Sequence, residues 1–167
     1  MHAMTKANLE AAFAGESQAH IKYKIFADKA EKEGYPEVAR LFRAISYAEQ
    51  VHATNHFRQL QGIEGTASNL SSAIGGEKYE NTEMYPAFDA VAREQGEKGA
   101  MLSIHYALEA EKIHEAMYGE AKSLVENGQD RVAKPVYICP TCGFTVIGDP
   151  PAKCPVSQTP KDKFVKF

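Results

Sequence analysis

The stretches Ala48-Glu49-Gln50-Val51-His52 and Ala110-Glu111-Lys112-Ile113-His114 decide how this chain is read. Each lies inside a long helical pattern. Residues i and i+3 share a helix face, so each Glu-x-x-His aims a carboxylate and an imidazole at one point. Two such pairs on two helices, with one Glu from each of two more, form the ligand set of a two-metal carboxylate site in a four-helix bundle. The question is whether the rest of the chain supplies those helices and those carboxylates.

Around Glu49 the period predicts a helix over 36–61. Its inner face reads Val38, Leu41, Ile45, Glu49, His52, His56 and Gln59, and Gly62 stops it. Upstream, a helix over 5–33 carries Leu9, Phe13, Glu16, His20, Tyr23, Ala27 and Ala30 on one face, with Thr5 as its N-cap. Glu16 is the anomaly, a carboxylate within an apolar stripe. Gly34 ends that helix and Tyr35-Pro36 opens the next. Around Glu111 the pattern runs over 97–127 and turns Ala100, Ile104, Ala107, Glu111, His114, Tyr118, Ala121 and Val125 inward. Before it, 77–95 reads as a helix with Glu80 and Glu83 on one face. Pro86 either kinks that helix or lies close to its start.

The stretch GIEGTASNLSSAIGGE over 62–77 is rich in Gly and Ser and shows no period. It reads as a crossover too long for a tight helical hairpin. One long crossover, between helices 2 and 3, is the ferritin-like arrangement. The two halves also look duplicated. Aligning Gly34 with Gly96 sets Glu49 on Glu111 and His52 on His114 without a gap.

From 131 the composition shifts to Pro, Gly, aromatic and β-branched residues, which predicts short strands and turns. So small a segment needs a staple. Cys139-Pro-Thr-Cys142-Gly and Cys154-Pro-Val-Ser157 provide one, with Ser157 in the fourth ligand position. Two such knuckles suit tetrahedral Fe or Zn. The expected division is therefore 1–130 for the helical bundle and 131–167 for the tail.

With 167 residues and a net charge of −3, the chain gives no sign of a nucleic-acid or anionic-membrane partner. No apolar run is long enough to span a bilayer. Three cysteines confined to the tail suggest a metal site in a reducing compartment, not a disulfide framework.

Buried glutamates demand a partner, and several at one bundle centre repel each other unless cations draw them together. Oxygen-rich ligands with one imidazole per metal suit Fe, Mn or, less well, Zn. A pair of irons suits two-electron cleavage of an O–O bond. Tyr23 and Tyr85 are each placed to pack or to hydrogen-bond near a metal, and His20 and His56 read as hydrogen-bonded or partly exposed histidines.

The order Glu, Glu-x-x-His, Glu-x-x-Glu, Glu-x-x-His, then C-x-x-C and C-P-x-(Cys), resembles the rubrerythrins along nearly the full length. Ala14-Gly15-Glu16-Ser17-Gln18-Ala19 and Met84-Tyr85-Pro86 strengthen the likeness. The resemblance implies a ferritin-like di-iron bundle joined to a rubredoxin-like iron domain. It implies a cytoplasmic peroxidase that reduces hydrogen peroxide to water in oxidative stress defence. Its electrons would come ultimately from NAD(P)H through a donor protein such as rubredoxin or its reductase. By the same resemblance Glu49 and Glu111 bridge the irons, and Glu16 is a terminal ligand of the first. Glu80 and His114 hold the second, and Glu83 exchanges with His52 on the first. Tyr23 is a candidate proton donor. Cys139, Cys142, Cys154 and the Ser157 position hold the electron-transfer iron, or a zinc. A homodimer or higher homo-oligomer is also implied, with one chain's tail near the other's irons. Ser157 departs from the pattern, replacing a thiolate with a hydroxyl. Two rival readings are iron oxidation and storage, and a non-catalytic zinc-ribbon adaptor; the tail argues against the first and the inward glutamates against the second.

Overall fold

Gly34 adopts φ +86°, the left-handed backbone that lets α1 (Ala3–Lys32) stop and α2 (Pro36–Gln59) start within three residues. Its N–H meets the Glu31 carbonyl at 3.1 Å, and that of Tyr35 meets Ala30 at 2.9 Å, so the last carbonyls of α1 are satisfied. The computed structural model describes residues 1–167, in two compact units, Met1–Glu64 and Gly65–Phe167.

The first unit is the α1–α2 hairpin. Its seam is built from small residues: Ala27, Ala30, Ala39, Ser46 and Ala53 are buried, with Phe42 packed against the first three. Phe13 stacks on Phe57 at 4.9 Å between ring centroids. Val38, Leu41 and Ile45, expected to face inward, are exposed. Small side chains let the two backbones approach closely, so the hairpin seam takes the alanine stripe and leaves the larger residues outside it. Gly62 is needed for room, since a Cβ there would lie 2.2 Å from the Phe57 ring. The left-handed residue at this helix end is Gln61, with φ +58°.

The second unit begins with α3 (Thr66–Tyr79), continues through a π turn (Glu80–Met84) into α4 (Tyr85–Glu94), and returns through α5 (Lys98–Glu126). The stretch expected to be an aperiodic crossover is thus mostly helix, and coil is confined to 60–65. α3 packs along α5, and that packing outweighs the poor helix propensity of its glycines and serines. Pro86 falls on the first turn of α4, directly after the π turn.

The tail forms a three-stranded antiparallel sheet in the order β2-β1-β3, with β1 (Val136–Ile138), β2 (Thr145–Ile147) and β3 (Val165–Lys166). Cys139, Cys142 and Cys154 are its buried centre, flanked by Phe144, Val156 and Phe164. Tyr106 of α5 also packs against them, so the tail rests on the last helix within its own unit. The compact units divide at Glu64/Gly65, whereas the sequence marked its change of character at 131. No helix is long and apolar enough to cross a membrane.

Candidate metal centres

Helical spacing brings the repeated motif to the geometry it promised. In α2, His52 Nδ1 lies 3.0 Å from Glu49 Oε2 and 3.8 Å from Glu16 Oε1 of α1. In α5, His114 Nδ1 lies 2.6 Å from Glu111 Oε2. Each unit so gathers three potential ligands within 4.8 Å of one another: Glu16, Glu49 and His52 in the first, and Glu77, Glu111 and His114 in the second.

Glu77 is the member that sequence reasoning missed. Three glutamates, Glu77, Glu80 and Glu83, follow at steps of three, and the sequence reading used the second and third. The structure brings the first and second toward Glu111. Glu77 joins Glu111, and Glu80 lies close enough to Glu111 and His114 to feel both charges. Glu83 is exposed and belongs to neither triad. The π turn explains the difference. Tyr85 N–H bonds the Glu80 carbonyl, an i→i+5 closure, and in so wide a turn three residues no longer restore a side chain to the same face.

The electrostatics of this cluster are those of anions held together. Burial, then a hydrogen bond that protonated Glu77 donates to Glu111 and repulsion by that carboxylate, with Glu80 and Glu115 adding to it, push Glu77 up to about 8. Burial and then Glu111 raise Glu80, while His114 opposes them. Glu77 Oε2 is a buried oxygen with no hydrogen-bond partner. Asn81 donates to Glu115 at 2.8 Å, which holds that second carboxylate near the cluster. An orphan carboxylate oxygen among acidic neighbours, beside an imidazole nitrogen, fits a divalent cation in both charge and ligand type.

The two tyrosines separate. Tyr23 packs in an aromatic group with Phe26 and Phe42, at centroid distances of 6.3 and 6.1 Å. Tyr85 sits by the carboxylates: burial, then Glu80, Glu111 and Glu77, raise its phenol above the ordinary range. Of the two, Tyr85 is the one that stands beside the carboxylates. His20 is hydrogen-bonded, its Nδ1 2.8 Å from the Ser46 carbonyl oxygen, and it clamps α1 to α2.

In the tail Cys139, Cys142 and Cys154 bring their sulfurs within 4.8 Å of one another without a disulfide. Ser157 Oγ lies 3.2 Å from Cys139 Sγ, at the fourth corner, and 2.8 Å from Thr159 Oγ1. Burial would push Cys139 up, but hydrogen bonds from Ser157, Thr159 and the Thr141 and Cys142 backbone outweigh it and bring the thiol down to about 6. Burial takes Cys142 the other way, up to about 11. Three sulfurs, one of them readily ionised, with a hydroxyl beside them fit a thiophilic metal such as iron or zinc.

Residues 7–122 match the family model described as Rubrerythrin. Rubrerythrin-2 of Clostridium acetobutylicum is 41% identical, with 99% of this chain and 98% of that protein covered. Nigerythrin of Nitratidesulfovibrio vulgaris is 34% identical, with 98% and 86% covered. Among solved structures, a mixed-valence nigerythrin superposes with a TM-score of 0.58 at 35% identity, covering 98% of this chain and 86% of that one. The fold class is accordingly the mainly helical, ferritin-like one, with a small Cys-bearing sheet. By the matched model and these relatives, the chain belongs to the rubrerythrin family.

Proposed function

We propose that the chain is a non-haem di-iron peroxidase that reduces hydrogen peroxide to water in defence against oxidative stress. One observation carries the reading. Each Glu-x-x-His pair is joined by a third carboxylate, and acids gathered so closely repel one another until cations lie among them. Glu16, Glu49 and His52 would hold one ion. Glu77, Glu111 and His114 would hold the other, with Glu80 as a further carboxylate one turn on. Manganese or zinc would accept the same donors.

When bound, a pair of ferrous ions supplies the two electrons that break the O–O bond of hydrogen peroxide, which takes up two protons to give two waters. The chain's own groups supply position and protons. The Tyr85 phenol keeps its proton among three acids and offers a hydrogen-bond donor beside the site. His114 is held at both ring nitrogens. His52, over half exposed, has Glu49 as its one partner within 3.5 Å and is the freer of the two. Cys139, Cys142 and Cys154, with Ser157 as the fourth group, would hold an iron that supplies one-electron transfer. The source of the electrons is a donor protein such as rubredoxin or its reductase, drawing on NAD(P)H in the reducing cytoplasm.

Iron analysis together with peroxide consumption tests the proposal. Anaerobically reconstituted protein should hold about two irons in the helical part and consume peroxide. Glu49→Ala should abolish consumption with the helical circular dichroism unchanged. Undiminished turnover in that variant counts against the ligand role.

A further inference from the structure

The two copies of Glu-x-x-His differ in what lies behind the imidazole. His114 Nε2 is 2.8 Å from Thr145 Oγ1, on strand β2 of the tail. Thr145 Oγ1 is in turn 2.9 Å from the Gly143 carbonyl oxygen. A carbonyl only accepts, so the threonine proton is committed to Gly143. The threonine oxygen must then accept from His114 Nε2–H. Nδ1 then faces Glu111 Oε2, 2.6 Å away, the two atoms sharing a proton when no metal is bound. With Nε2 committed as the donor to Thr145, Nδ1 is the nitrogen left to offer a lone pair, so the hydrogen bonds aim it at the place where a metal fits.

We propose that Thr145 is a positioning residue that fixes the ring orientation and tautomer of His114 for metal binding. Through Gly143 it also ties that ligand to the Cys139–Cys142 knuckle. The proposal rests on the reading of His114 as a metal ligand. The joint is well placed for the task. Gly143 approaches α5 so closely that a Cβ on it would lie 3.5 Å from the Ala110 Cβ, next to Glu111. Thr145 is buried, 6% exposed. Together with His114 it lines a cavity of about 490 Å³ between α5 and the sheet, so the contact is directed by its hydrogen bonds and not by tight packing on every side. The connection runs both ways. Whatever orders the cysteine knuckle steadies the Gly143 carbonyl and the His114 ring, and a metal on His114 steadies the knuckle.

The test uses the full chain and zinc or cobalt(II), titrated against a competing chelator. Thr145→Val keeps the shape and removes the hydroxyl. It should weaken binding at the helical site about 10- to 100-fold. In the zinc-loaded protein with ¹⁵N-labelled histidine, it should also abolish the hydrogen-bonded Nε2–H signal of His114. Thr145→Ser should restore both. The spectrum of cobalt bound to the tail cysteines shows that the tail is still folded in each variant. Unchanged affinity in Thr145→Val, or an equal loss in Thr145→Ser, overturns the proposal. His114→Ala separates the two levels of the argument: if it leaves affinity untouched, the metal-ligand reading fails and takes this inference with it.

Discussion

Replacing Glu77 by glutamine removes one negative charge from a cluster where Glu111, Glu80 and Glu115 all oppose it. The folded protein raises this carboxyl from its ordinary 4.5 to about 8. The metal-free native state therefore holds a proton that the unfolded chain releases. Its stabilising contribution is present below the ordinary value and is lost as pH rises through about 8. At about 1.4 kcal/mol per pH unit, the displacement corresponds to at most about 5 kcal/mol. Glu77 is only partly buried, so water screens the repulsion and leaves about 1–2 kcal/mol. Glu77→Gln should then stabilise the metal-free protein by that amount at pH 8.5, by less than half of it at pH 6, and hardly at all below pH 4.5. Guanidinium unfolding in the presence of a chelator, at pH 8.5 and pH 6, measures it. With zinc or ferrous iron added, the order should reverse, because metal stabilises the wild type more than the variant. Glu83→Gln, one turn beyond the cluster, should do neither. An equal effect of Glu77→Gln at both pH values would refute the electrostatic reasoning. A metal-binding loss in Glu83→Gln in place of Glu77→Gln would refute the ligand assignment.

Two further outcomes are expected. Ser157→Cys should give a stronger sulfur-to-iron charge-transfer band and slower iron loss from the tail, since a thiolate replaces the hydroxyl beside Cys139; no gain would mean that another feature disables this corner. Tyr85→Phe should slow peroxide reduction and shift its pH profile, whereas Tyr23→Phe, altering only a packed ring, should leave both unchanged.

What could be read from the chain, and what could not, follows from the range of the interactions involved. Glu16, Glu49, His52, Glu111 and His114 were legible because a helix repeats its face over three or four residues. Cys139, Cys142 and Cys154 were legible because knuckle spacing is local. Glu77 was not. A ladder of glutamates at steps of three fits two registers equally, and only the π turn over Glu80–Met84 selects one. Helix α3 was hidden for a related reason: Gly and Ser suggest coil until α5 is there to pack against. The buried stripe of Ala39, Ser46 and Ala53 was passed over in favour of Val38, Leu41 and Ile45, since size suggested burial where closeness of backbones decided it. Thr145 left no signal at all. Its partner lies 31 residues away on another element, and nothing in the string Cys-Gly-Phe-Thr announces it.

The most direct test is an anaerobic titration of ferrous-loaded protein with hydrogen peroxide, followed by the ferric absorbance. Two irons acting together take up about one peroxide per chain in a single step and release no hydroxyl radical to a spin trap. Oxidation that leaves the iron ferrous in one half of the sites, or radical released in proportion to the peroxide added, would show irons acting singly and contradict a paired centre.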